Sequence, residues 1–174
     1  MAPARRARQS GLMRRAHVPS TRRLAAGALL ATALLATGCG VQVPTDPDGT
    51  LDRITGGELR VGATAEPGLV EVTDGEPTGP LVDLVEDFAE TIDAEPEWSV
   101  ASEETLVTEL EEGRLDLAVG GFTDQSPWVD RAGVTRGYPG IPGADGRSLV
   151  MLVPLGENAM LAELEAFLDE EVGS

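Results

Sequence analysis

The sequence predicts an α/β fold: a three-layer arrangement of a mostly parallel sheet with helices on both faces. Three observations predict it. Short apolar runs of strand length, Glu58–Thr64, Glu97–Val100, Leu115–Val119 and Ser148–Pro154, are each bounded by turn-forming residues. Segments with helical periodicity separate the first three runs. Strand, helix, strand, helix, strand in chain order implies parallel neighbours joined by right-handed crossovers.

Each element has a local reason. Glu58–Thr64 alternates apolar and polar residues, and a polar loop with Asp74-Gly75 as a tight turn follows. Pro80 stands where a helix starts, after Thr78-Gly79. Leu81, Leu84, Val85, Phe88 and Ile92 then share one helical face, with Asp83, Glu86, Asp87 and Glu90 opposite. Ser102 is placed to cap a helix that turns Leu106, Val107 and Leu110 inward and stops at Gly113. Asn158 is placed to cap a last helix carrying Met160, Leu161, Leu164, Phe167 and Leu168, whose acidic end at Asp169-Glu170-Glu171 opposes the macrodipole and predicts fraying.

The stretch Gly113–Tyr138 is the centre of the reading. Leu115–Val119 is a buried strand that exits through Gly120-Gly121 into the polar loop Phe122–Ser126. In open α/β sheets, ligands lie in the crevice beyond the carboxyl ends of the strands. That rule nominates Thr64, Glu66, Phe122, Thr123 and Trp128 as residues lining a ligand crevice.

Charge divides the chain. Seven of its 13 arginines fall in residues 1–23, there is no lysine, and all 30 acidic residues lie beyond position 39. So acidic a body repels nucleic acid and anionic lipid head groups, and no nucleic-acid partner is expected. After the basic start, Leu24–Gly38 is an uncharged run dominated by alanine and leucine, too short for a comfortable membrane span. Basic region, apolar region and small residues describe a secretory signal. Ala36-Thr37-Gly38-Cys39 resembles the bacterial lipobox, in which a diacylglyceryl group is attached to the cysteine and cleavage precedes it. The expected organisation is a signal peptide over 1–38, lipidation at Cys39, a solvated tether over 39–57 and one domain over 58–174. Two or more acyl chains, palmitate among them, would anchor the protein stably to the outer face of the cytoplasmic membrane. Thr21-Arg22-Arg23-Leu24 leaves export by the general or the twin-arginine route open.

The words along the domain match a known pattern. GELRVGATAEPG, DGEPTGPLVDLVEDFAETI, LVTELEEGRLDLAVGGFT and a spaced Tyr138, in that order, resemble the first lobe of the bacterial extracellular solute-binding proteins, family 3, the amino-acid-type receptors of ABC importers. The resemblance implies a periplasmic-binding-protein-like lobe, a small polar solute of amino-acid type, and a membrane permease as partner. The family's second lobe would be inserted near Pro139–Arg147, and it is missing there. Two further departures concern the ligand. The family's aromatic clamp after the first strand is replaced by Glu66-Pro67-Gly68-Leu69. Where its Thr-Pro-x-Arg motif supplies an arginine for the ligand carboxylate, Ser126-Pro127-Trp128 follows Thr123, leaving Arg131 or Arg136 to bend in as a substitute. Tyr138 reads as packing.

Catalysis has little to work with. The only histidine, His17, lies in the segment expected to be removed, and Cys39 is the only cysteine. His-based triads, the usual zinc ligand sets and Schiff-base chemistry are excluded, and no cofactor or metal is expected. Carboxylate pairs such as Glu66 with Glu71, or Asp124 with Asp130, remain available for acid–base work. The alternative to solute binding is a non-transport accessory or sensory module that docks the same end of the sheet onto a membrane protein, with Trp128 as its anchor.

Overall fold

A computed structural model describes residues 45–173. The expected signal segment, the expected export motif and Cys39 lie outside the described residues.

The elements, in chain order, are α1 Thr50–Ile54, β1 Glu58–Ala63, β2 Glu71–Thr73, β3 Glu76–Thr78, α2 Pro80–Thr91, β4 Glu95–Val100, α3 Glu103–Glu111, β5 Leu117–Val119, a 3₁₀ turn Pro127–Asp130, β6 Ala132–Val134, β7 Leu152–Pro154 and α4 Asn158–Glu171. Five strands form one sheet in the order β4-β1-β5-β7-β6. Strands β4, β1 and β5 are parallel, with Val61 opposite both Trp98 and Leu117. The sheet is completed by β7 and β6, both antiparallel to their neighbours. The predicted three-layer, mostly parallel architecture is therefore present, with an antiparallel edge that the chain order did not announce. Asp74-Gly75 closes the small β2–β3 hairpin, both residues at positive φ (55° and 88°) as a two-residue turn of right-handed twist requires.

Alternation along the strands builds two cores. Leu59, Val61, Ala63, Leu117 and Val119 point to one face, against Val85 and Phe88 of α2, Ile54 of α1 and Met160, Leu164 and Leu168 of α4. Ala118, Val150 and Leu152 point to the other, against Leu106, Val107 and Leu110 of α3. Gly62 lets α3 approach, since a methyl there would lie 2.5 Å from both Leu106 and Leu115 side chains. Pro80 occupies the first helical position of α2, and the Ser102 hydroxyl accepts from Thr105 N at the start of α3.

The expected tether is the main correction. From Asp46 onward the segment is part of the folded body. Asp46 Oδ1 accepts from Ala159 N (2.6 Å) and Met160 N (3.1 Å), and its Oδ2 accepts from Leu51 N (2.9 Å). One carboxylate thus serves the first turns of α1 and α4 together. In return, buried Glu157 accepts from Asp48 N (3.0 Å) and Thr50 N (2.9 Å). These orphan amide donors need acceptors, and the two carboxylates supply them across more than a hundred residues. Asn158 is the first residue of α4 rather than its cap, and Asp46 does the capping. Helix α4 runs to Glu171, and Arg136 holds Asp169 at 2.7 Å in the turn expected to fray. The long loop before β7 is also part of the body, with Ile141 and Ala144 buried.

Candidate functional site

The carboxyl ends of β1 and β5 meet at one rim. Strand pairing continues past β1, where Thr64 N donates to Val119 O (3.1 Å). The next residues form a tight loop: Glu66 N donates to Val70 O (2.9 Å), and Glu66 O accepts from both Leu69 N and Val70 N. This fixes the backbone under the Glu66 side chain. The two glycines after β5 now have a physical reason. A methyl on Gly120, whose φ is +152°, would lie 2.2 Å from Thr64 Cγ2. One on Gly121 would lie 2.7 Å from Glu66 Oε2. Gly120-Gly121 leaves room for the side chains of Thr64 and Glu66 to rest on the strand exit.

Arg147 is the third member of the rim, and the sequence reading missed it. Its Nη1 donates to Glu66 Oε1 at 2.6 Å, while its Nε donates to Ala144 O at 3.2 Å. The pair is partly open to water, with side-chain exposures of 38% for Arg147 and 30% for Glu66. No periodicity marks this arginine; it arrives because Ile141 and Ala144 bury the preceding loop. Gly143 seats that loop, for a methyl there would lie 2.1 Å from Gly68 O, next to the Glu66 turn. Thr123 lies beside the same segment through a bridge to Leu149, and Asp124 N donates to Ser148 O (3.2 Å).

The other nominated residues separate from this group. Phe122 is 2% exposed and belongs to the α3-side core, so it does not line the crevice; a ring directly after a buried strand completes the packing around Leu106 and Leu152. Trp128 is half-buried at the edge of that core. Its Nε1 donates to Glu103 Oε2 (3.4 Å), and the Arg131 guanidinium stands 5.6 Å from the ring centroid. Neither Arg131 nor Arg136 bends inward to replace the family's arginine. Arg131 is held by Glu111, its Nε donating to Oε1 at 2.9 Å, and Arg136 is held by Glu165 and Asp169. Tyr138 is fully buried, as packing requires, with its hydroxyl between Glu165 O (3.3 Å) and Asp169 Oδ1 (3.2 Å). Burial pushes its phenol up from the ordinary value, against the lowering effect of Arg136.

A cleft of about 460 Å³ opens at the opposite end of the sheet, among Arg53, Arg60, Arg131 and Asp116. Its chemistry is already satisfied. Asp116 accepts from Arg60 N (3.0 Å), Arg60 Nε (2.9 Å) and Arg53 Nη1 (3.2 Å), and both arginines also reach its second oxygen. Burial raises the Asp116 carboxyl, but the hydrogen bonds from Arg60 and Arg53 outweigh it and hold the group below the usual carboxylate range. This is an ion-paired seam that ties α1 to β1 and β5. The rim of Thr64, Glu66 and Arg147 lies where the strand directions place a ligand. Among the described residues there is no group of three His, Cys, Asp or Glu side chains able to hold a metal ion, and no helix is long and apolar enough to cross a membrane.

Comparisons with known proteins bear on this geometry. Residues 59–138 match the model of the bacterial extracellular solute-binding proteins, family 3. Two similar solved structures are the arginine-bound form of domain 1 from TmArgBP and its Phe57Trp mutant. Each is 22% identical with a TM-score of 0.57; they cover 65% of this chain and, respectively, 92% and 90% of their own. An ancestral cationic amino acid solute-binding protein, AncCDT-1, is 25% identical over 51% of this chain and 40% of its own, with a TM-score of 0.46. No curated protein matches the chain. Residues 59–138 thus match the model of the bacterial extracellular solute-binding proteins, family 3, and the fold around them is similar to that of domain 1 from TmArgBP.

Proposed function

We propose that the protein is a lipid-anchored, extracytoplasmic receptor lobe that binds a small polar solute of amino-acid type at the rim of Thr64, Glu66, Thr123 and Arg147, for or alongside a membrane permease. The observation that carries this reading is the meeting of a carboxylate and a guanidinium at the carboxyl ends of β1 and β5. A zwitterionic solute offers both opposite charges to such a pair, and charge-assisted hydrogen bonds are the strong ones. The relatives of the same fold that hold arginine support an amino-acid ligand. Binding is expected without catalysis, since the rim carries no nucleophile with an adjacent base.

Cys39 is the anchor in this reading, on the grounds of the lipobox resemblance. No second lobe is inserted between Tyr138 and Ser148, and this lobe by itself covers a solute from one side. Good small-molecule sites bury roughly 70–90% of the ligand. Affinity is therefore weak unless a partner completes the pocket. A second reading, docking onto a membrane protein, draws on Val129, which is 56% exposed beside Trp128. Calorimetric titration of the purified chain with a panel of amino acids and polyamines tests the first reading. Saturable binding lost in Thr64→Ala supports it. A flat titration across the panel, with a membrane protein co-purifying through Val129, replaces it with the second.

A further inference from the structure

Six arginines stand among thirty acidic residues in the chain beyond Gly38. All six are in ion pairs, and five of those pairs fasten secondary-structure elements or helix ends away from the rim. Only Arg147 meets its acid at the rim, on Glu66. Glu66 is tied by Oε1 to this guanidinium, while its Oε2 faces the open backbone at Gly121. A carboxylate at the mouth of so acidic a body would, if unpaired, collect any passing cation, because the surrounding field concentrates positive ions.

We propose that Arg147 is the specificity-determining residue of this rim: an internal guanidinium that occupies Glu66 and excludes solutes whose only charge is positive. This rests on the reading of the rim as a solute site and adds which solutes it refuses. A cation must displace a tethered guanidinium whose effective concentration on Glu66 is on the order of millimolar or higher. It gains one charge contact while stripping another, so its net gain is small. A zwitterion displaces nothing without replacement: its ammonium takes Glu66 and its carboxylate takes Arg147. Exposure of about a third on each partner makes the pair a latch that opens readily. The Nε bond to Ala144 O keeps the guanidinium near the rim after it lets go.

The probe is methylguanidinium, which carries the head group of Arg147 and no carboxylate. Arg147→Met keeps the side-chain stem and removes the charge. The expected result is methylguanidinium binding at least tenfold tighter to Arg147→Met than to the natural chain, abolished in Arg147→Met/Glu66→Gln, with Arg147→Lys behaving like the natural chain. Circular dichroism and a thermal melt confirm that each variant is folded; Glu66→Gln alone provides a second folded reference in which the probe must not bind. Equal affinity in the natural chain and Arg147→Met, no binding in either, or binding retained in the double variant overturns the proposal. Failure of the underlying reading shows separately, as a flat titration of the natural chain with the amino-acid panel.

Discussion

Replacing Asp116 by asparagine removes the negative charge on which two guanidinium groups and a backbone amide converge. The Asp116 side chain is 1% exposed, while Arg53 and Arg60 are 44% and 29% exposed. Breaking a fully buried pair costs about 3–5 kcal/mol. Here the stranded cations can turn toward water, so the expected loss is smaller, about 2–3 kcal/mol. With a urea slope of roughly 2 kcal/mol/M, the midpoint falls by about 1 M with an unchanged slope. The pH dependence follows from the direction of the shift. The folded carboxyl titrates below its unfolded value of ~3.9, so its contribution is full above that value and is lost as pH falls through the folded pKa. The gap between the natural chain and Asp116→Asn is therefore constant from pH 7 to about 5 and narrows below about 4. Urea titrations at a series of pH values read both effects. A midpoint shift under about 0.2 M at pH 7, or a gap that stays constant down to about pH 3, would mean that the Asp116 charge does not hold Arg53 and Arg60 in the folded state.

The remaining predictions concern the clasp and the rim. Asp46→Ala strips acceptors from Leu51, Ala159 and Met160 together, and should cost about 2 kcal/mol, at the upper end for a lost cap. Amide hydrogen exchange at Ala159 and Met160 should quicken, whereas a true tether would leave both amides unchanged. Gly120→Ala places a methyl against Thr64 at a backbone angle that disfavours side chains, and should destabilise by about 2–4 kcal/mol in denaturant titration. Thr64→Ser in that background removes the clashing methyl and should restore part of the loss.

What the sequence made legible was local or repetitive. The faces of α2 and α3, the Pro80 and Ser102 starts, the parallel direction of β1, β4 and β5 and the Asp74-Gly75 turn all follow from spacing over fewer than a dozen residues or from chain order. Strand β6 escaped because three residues, Ala132-Gly133-Val134, show no period. The antiparallel entry of β7 escaped because strand direction depends on where the intervening loop travels. The clasp of Asp46 and Glu157 spans over a hundred residues and looked like linker composition. At the rim, Thr64 and Glu66 were legible as loop residues beyond a strand. Phe122 was misplaced because the same rule cannot tell which side chains of an exit loop turn back into the core. Arg147 was invisible because nothing in its neighbours encodes the packing of Ile141 and Ala144 that delivers it.

The two ends of the sheet divide the work of the molecule. At the amino ends of β1 and β5, Asp116 locks Arg53 and Arg60, and the Asp46–Glu157 clasp locks α1 to α4. Asp116 and Glu157 are buried acceptors and Asp46 is a partly buried one, so the loss of these contacts is felt as global stability. At the carboxyl ends, a half-exposed ion pair rests on glycines, and neither Glu66 nor Arg147 anchors a core element. Exposed pairs contribute ~0–1 kcal/mol to folding, so the rim can change partners at little cost to the scaffold. Variants at Asp116 or Asp46 should therefore shift the denaturation midpoint and leave solute affinity of the surviving folded molecules intact. Variants at Glu66 or Arg147 should do the reverse. A ligand effect from Asp116→Asn comparable to that from Arg147→Met would mean the two ends are mechanically coupled, and that the seam around Asp116 belongs to the site after all.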